Sequence, residues 1–198
     1  MMMKTLISVA TTALFCVTAH ANGERFYIQA NAGSTSSDMS SCVSGRSGTT
    51  EIADCQIKGK AGKLLAGYRV MPHFALEASY WKYGTEHAED SVGQVDAKLT
   101  AFGLGGALHF DISDDWAGVA RFGFARIKTK TTTLDNGAAS WVPFASDSHA
   151  KYYAGVGVSY AVTPMFRLHG DFDYSKVRSE VYAEHGLRML SLGGSVNF

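Results

Sequence analysis

From Phe26 onward the chain alternates apolar and polar positions. Phe26, Ile28, Ala30 and Ala32 interleave with Tyr27, Gln29, Asn31 and Gly33. The same pattern recurs around residues 63–70, 74–81, 101–110, 116–124, 152–160, 166–174 and 190–198. A period of two is the signature of a strand with unlike faces, not of a helix. Eight such stretches make an even number, which lets an antiparallel sheet close on itself. The pattern predicts an all-β fold, an eight-stranded antiparallel up-and-down barrel.

Connections alternate in length as well. Short ones fall near residues 71–73, 111–115 and 163–165. Long ones fall near 34–57, 84–95, 129–148 and 176–187. Two of the short turns share an internal repeat, Y-x-V-x-P-x-F-x-L, at residues 68–76 and 160–168. Pro72 and Pro164 fix φ and cannot donate to a ladder, so each marks a turn. Pro143 is placed outside the strands for the same reason. Short turns at one end and long loops at the other is the layout of outer-membrane barrels.

Composition alone suggests the opposite solvent. Mean hydropathy is -0.03, and 18 basic residues balance 18 acidic ones, which argues against a nucleic-acid partner. No run after the first twenty residues reaches the ~18 apolar residues of a spanning helix. These averages conceal a barrel, because a barrel places its apolar residues at every second position.

The N-terminus reads as a secretory signal over residues 1–21: Lys4, the apolar stretch Leu6 to Thr18, then Ala19-His20-Ala21. Residues 22–198 are then a single barrel domain. The bulky Phe15 before Cys16 speaks against a lipoprotein. Two cysteines remain, Cys42 and Cys55, and an exported chain predicts a disulfide between them.

The aromatic positions decide between a soluble cup and a membrane barrel. Phe26, Tyr68, Phe74, Phe110, Trp116, Tyr160, Phe166 and Phe198 share the apolar face, one per strand, beside the short turns and chain ends. A ring of this kind is an interfacial girdle, here on the periplasmic side. On a soluble protein it would be an aggregation-prone surface. The other face carries Lys63, Arg69, Glu77, Arg121, Arg167, His169, Asp171 and Asp173. Eight strands leave an interior that side chains just fill, so these groups are expected to pair inside it. A structural plug is the simpler account and a gated ion path the alternative. Arg69 and Arg167, close to turns, could instead be wetted at the mouth.

Three stretches carry a family resemblance. Residues 189–198, MLSLGGSVNF, are similar to the last strand of the OmpA-like outer-membrane barrels of Gram-negative bacteria. Residues 74–80, FALEASY, and 160–164, YAVTP, resemble that family's third strand and its sixth strand and turn. The resemblance implies outer-membrane localisation, both termini in the periplasm, a charge-paired interior and surface loops that make contacts. It implies recognition of Phe198 by the barrel-assembly machinery. It covers the transmembrane part only, without the family's peptidoglycan-binding domain, and a first-loop disulfide is not general in the family.

Beyond the apolar band, on the lipid-facing parity, lie Lys58, Lys60, Lys82, Lys98, Arg126, Lys128, Lys130, Lys176, Arg178 and Arg188. Lipopolysaccharide phosphates would fit such a collar. Solubilising charge at strand ends accounts for it equally. No G-x-S-x-G motif and no EF-hand spacing occur, and the acidic residues near His87 and His185 read as solvated loops. No enzyme, cofactor or metal is expected. The function read from the sequence is a monomeric structural and surface-interaction barrel, contacting outer-membrane lipid, lipopolysaccharide or an unidentified extracellular ligand. A narrow passive channel is the alternative, and a lipid- or peptide-modifying enzyme comes third.

Overall fold

A computed structural model describes residues 25–37, 58–89, 93–135, 142–177 and 185–198. The signal segment 1–21, Cys42, Cys55 and Arg178 lie outside the described residues. Eight strands follow in chain order: β1 (Phe26–Ser37), β2 (Lys58–Met71), β3 (Phe74–Glu89), β4 (Gly93–Asp111), β5 (Trp116–Asp135), β6 (Val142–Ala161), β7 (Phe166–Val177) and β8 (His185–Asn197). Each pairs with its sequence neighbour, and β1 pairs with β8, closing an antiparallel barrel. The first and last strands meet at the chain ends, where Phe198 N–H donates to the Phe26 carbonyl at 2.8 Å. Closure leaves no edge strand to aggregate.

The alternation read from the sequence is the inside–outside alternation of this barrel. Across the belt, short of the two bulges described below, even-numbered residues face outward and odd-numbered ones inward on every strand. Leu64, Leu76, Leu104, Phe124, Val156, Leu190 and Leu192 are exposed on the outer wall, whereas Gln29, Glu77 and Asp171 are buried. This is the inverse of a soluble core, and it suits a hydrocarbon solvent.

The three short turns lie where expected, but two of them form a matched pair that the proline repeat did not indicate. At 72–73 the chain turns in two residues, with Met71 paired to Phe74. At 112–115 and 162–165 it takes four. Ile112 and Ser113 N–H both donate to the Trp116 carbonyl, as Val162 and Thr163 N–H do to that of Phe166. Ser113 Oγ then accepts from Trp116 N–H, and Thr163 Oγ1 from Phe166 N–H. A hydroxyl at that position closes the turn on itself.

Two expectations need correction. The segments 84–95 and 129–148 were expected to be long loops, yet β3 runs to Glu89, β4 starts at Gly93, β5 reaches Asp135 and β6 starts at Val142. Strands of 19 and 20 residues exceed the ~9–11 needed to cross a bilayer, so this part of the wall rises beyond it. Pro143 is not outside the strands either. It lies in β6 opposite Thr132, where the register slips between Thr131 and Thr132. A bulge tolerates the missing N–H. A second bulge sits between Lys82 and Thr85, where Gly84 takes φ of 94°. Only glycine adopts that conformation without strain.

Candidate functional site

The outer wall has two levels. At the turn end stand the eight aromatic residues, one per strand, with Phe26 6.1 Å from Phe198 and Trp116 5.1 Å from Tyr160 between ring centres. Three of them cover glycines on neighbouring strands: Phe74 lies over Gly106, Phe110 over Gly118 and Phe166 over Gly194. The rings fill the notches that the missing side chains leave, so these glycines belong to the outer wall and not to the crowded interior. Between this ring and the opposite end, no described outward position carries a charge. Charges return at Lys60, Lys82, Lys98, Arg126, Lys128, Lys130, Lys176 and Arg188, all on the outward parity. Lys82 lies eight residues beyond Phe74, and Lys176 ten beyond Phe166, which brackets a bilayer-sized belt. Lys58 belongs to β2, but its side chain is outside the described set.

The cations are concentrated on one sector. Lys82 pairs across to Thr100, Thr100 to Lys128 and Lys128 to Ser148, giving one row over four strands. Lys98 sits directly opposite Lys130. Arg126 donates to Ser148 Oγ at 2.6 Å. Like charges directly opposite destabilise an antiparallel pair, so an external anion would relieve this arrangement.

Inside, the bore is filled in three storeys, the one nearest the turns a small apolar cluster of Tyr27, Leu65, Ala75, Ala107 and Val119. The middle one is ionic. Lys63 Nζ lies 2.8 Å from Asp171 and 2.7 Å from Asp173. Arg121 spans Glu77 at 3.1 Å and Asp171 at 3.0 Å. Three uncharged residues complete the network. Gln29 donates to Asp171 at 2.7 Å and accepts from Arg121 at 3.0 Å, Asn31 donates to Asp171 at 3.1 Å, and Tyr27 donates to Glu77. Charges taken out of water need this degree of pairing and hydrogen bonding. Space for it comes from Gly155 opposite Asp173 and Gly157 opposite Asp171, where any Cβ would press on a carboxylate oxygen.

The sequence grouped eight charged residues into one cluster, and the structure divides them. Lys63, Glu77, Arg121, Asp171 and Asp173 form the network. His169 instead meets Ser195 at 2.8 Å. Arg69 and Arg167 are half-buried at the turn-end mouth, the placement weighed as the alternative. The storey above the network was not anticipated. Trp81, Tyr83, Leu99, Ile127, Tyr153, Leu187 and Met189 pack there as a buried apolar cluster, with Trp81 4.9 Å from Tyr153 between ring centres. Gln29, Asn31 and Tyr27 share the inward parity of the charged residues, and that parity was the available signal for them.

His169 and Ser195 have the spacing of a base and a nucleophile. Both are buried, however, and His169 Nδ1 has no hydrogen-bond partner. Asp171 is taken up by Lys63, Arg121, Gln29 and Asn31. A triad needs an acid on that ring nitrogen and an accessible hydroxyl, so this pair lacks its working parts. No metal-binding group of three acidic, histidine or cysteine side chains occurs among the described residues.

Residues 7–198 match the family described as outer membrane protein beta-barrel domain. The chain belongs to that family. It is an OmpA-like eight-stranded barrel of the outer membrane. Among solved structures, the fold is similar to Neisserial surface protein A, with 23% identity over 87% of this chain and 97% of that one, at a TM-score of 0.63. It is also similar to Ail, the attachment invasion locus protein of Yersinia pestis, with 14% identity over 89% and 100% and a TM-score of 0.56. The N-terminal barrel domain of Pseudomonas aeruginosa OprF shares 16% identity over 87% and 97%, at 0.52. No curated protein sequence is matched.

Proposed function

We propose that this family member is a closed surface barrel that binds polyanionic glycolipid, lipopolysaccharide in the outer leaflet, through the cationic sector of β3–β5. The short turns and both chain ends would face the periplasm, with Phe198 read by the barrel-assembly machinery, and the collar and loops would face outward. The observation that supports the reading is the group of Lys82, Lys98, Arg126, Lys128 and Lys130 on one sector, with Lys98 directly opposite Lys130. Lipid phosphates meet such a row with charge-assisted hydrogen bonds. The cations lie on regular strand, so their spacing is held by the ladder rather than left to a loop. A solved complex of Ail with the heparin analogue sucrose octasulfate offers a parallel, since that barrel takes a polyanionic sugar.

The ion-paired storey and the apolar storey above it argue against the passive-channel alternative, because each fills the bore. Lipopolysaccharide titration of the purified barrel tests the proposal. Neutralising Lys82, Lys98 and Lys128 together is expected to weaken binding at least tenfold, since each charge-assisted contact is worth about 1.5–3 kcal/mol before screening. Unchanged affinity in that variant would end the collar reading.

A further inference from the structure

Arg126 differs from the lysines of the collar in its height and in its anchor. It is the lowest cation on the outer face of β5, one outward position above Phe124. Its cross-strand partners are Phe102 on β4 and Ala150 on β6, and Phe124 is paired to Tyr152. Phe102, Phe124 and Tyr152 are exposed on the outer wall, so Arg126 rests on the last aromatic rung of the apolar belt. Lys128 follows about 7 Å up the strand and Lys130 about 14 Å up.

The anchor is Ser148 on β6, whose Oγ accepts from Arg126 Nε at 2.6 Å. That bond fixes the plane of the guanidinium and leaves its Nη fork unused. Among the described residues nothing accepts from Nη1 or Nη2. Arg126 and its neighbour Ala150 are both exposed, so the fork is open from the lipid side. Acidic strand positions lie elsewhere in the register. Asp147 pairs with Thr129, which is buried toward the bore, and Asp96 pairs with Thr132, about 20 Å up β5 from Arg126.

A guanidinium held in one plane takes two phosphate oxygens in parallel hydrogen bonds, which an ammonium cannot do. A phosphate monoester has a third oxygen and a charge of about −1.5 to −2, enough to engage a second cation. Lys128 is the cation beside the fork. A phosphodiester carries a single charge, which the fork alone would satisfy.

We infer that Arg126 and Lys128 form a headgroup subsite for a sugar-borne phosphate monoester, on a glycolipid whose acyl chains lie over Phe102, Phe124 and Tyr152. Arg126 binds the phosphate and Ser148 positions its guanidinium. Lys98 and Lys130 stand two rungs higher and meet charge further out on the saccharide. This subsite rests on the lipopolysaccharide reading above and names the group held nearest the acyl chains.

The full barrel is titrated in dodecyl maltoside micelles, which carry no phosphate. The probes are core-free lipid A with its phosphates, the same lipid A with them removed, and phosphatidylglycerol. Phosphorylated lipid A is expected to bind saturably and more tightly than either of the others. R126Q should weaken it about tenfold or more. R126K keeps the charge but not the fork, and should still lose about threefold or more. S148A should lose about threefold by itself and add nothing to R126K, which has no guanidinium to position. K98Q/K130Q should leave lipid A affinity within about twofold while weakening full-length lipopolysaccharide. Heat-modifiable gel migration checks that each variant is folded, and if R126Q is not, R126K and S148A are read in its place.

Absence of saturable lipid A binding, unchanged lipid A affinity in R126Q, or equal affinity for the phosphate-free form overturns the inference. Equal affinity for phosphatidylglycerol overturns the assignment to a glycolipid monoester. The lysine collar is read separately, through the triple lysine variant on full-length lipopolysaccharide. If that variant loses affinity while R126Q keeps its lipid A, the collar stands and the subsite falls. If R126Q loses lipid A while the triple variant keeps lipopolysaccharide, the collar falls and the Arg126 fork remains.

Discussion

Glu77 and Arg121 are joined across an intervening strand: Arg121 Nε on β5 reaches Glu77 Oε2 on β3 at 3.1 Å. Strand β4 lies between them and presents Gly105 opposite Glu77 and Ala107 opposite Arg121. Small residues there let two long side chains meet over the backbone of a third strand. The two partners are not equivalent. Glu77 also accepts from Tyr27, while Arg121 also holds Asp171 and Gln29.

That inequality predicts asymmetric mutants. Arg121→Ala removes the cation that Glu77 pairs with and leaves Asp171 sharing Lys63 with Asp173, so it is expected to cost about 3–5 kcal/mol. Glu77→Gln leaves Arg121 paired to Asp171 and keeps an acceptor for Tyr27, so it should cost about 1–2 kcal/mol. The combined Glu77→Leu, Arg121→Met replacement removes both charges and should recover part of the Arg121→Ala loss. Urea unfolding in lipid vesicles measures all three. Equal costs for the two single variants would remove Arg121 as the hub.

Gly157 offers an independent probe of the same storey. A Cβ at that position would fall on Asp171 Oδ1, the oxygen that Arg121 Nη1 holds at 3.0 Å. Gly157→Ala should therefore displace the carboxylate and cost about 1–3 kcal/mol, although alanine itself suits a strand better than glycine. Its cost should shrink in an Arg121→Ala background, because the bond it breaks is already gone. Additive costs in the same urea assay would contradict this.

The ionic storey and the apolar storey above it predict how conductance responds. Planar-bilayer recordings are expected to show no sustained single-channel current for the wild-type barrel. The Glu77→Ala, Arg121→Ala variant opens the ionic storey but leaves Trp81, Tyr83 and Tyr153 packed above it. It should remain closed. Adding Trp81→Ala removes the largest side chain of the upper storey and should bring in a measurable current. A conducting Glu77→Ala, Arg121→Ala variant would show that the upper storey does not seal.

What the sequence could reveal follows from where its contrast was strong. In the belt, lipid lies on one face and packed polar groups on the other, so Phe74, Leu76, Ala78 and Tyr80 stand out against Glu77 and Ser79. Strand number, parity, girdle and inward charges were legible for that reason. The contrast fades from Lys128 to Thr133, where lysine alternates with threonine and apolar alternation is lost, yet threonine is a good strand residue and the ladder continues. His87 was read into a loop in the same way and lies in β3. In the bore the difficulty was different. Trp81 and Tyr153 share the inward parity with Lys63 and Glu77, and only their height along the strands separates the apolar roof from the ionic floor. Height depends on register, and register is a property of pairs of strands that no single stretch encodes.

Lys98 and Lys130 provide the sharpest test of the collar, because they should respond in opposite directions. They are direct cross-strand partners on the outward face of β4 and β5, both exposed. Like charges in that relation destabilise the pair, and an opposite charge would contribute about 0.2–1 kcal/mol. Lys130→Glu is therefore expected to raise the urea midpoint slightly in micelles free of lipopolysaccharide. The same change places a carboxylate among Lys98, Arg126 and Lys128, so lipopolysaccharide affinity should fall. A residue that merely solubilises a strand end would show the stability gain with no loss of binding. A residue kept for an anionic lipid would show both, with the loss of affinity shrinking as salt is raised, since screening weakens the wild-type contact first.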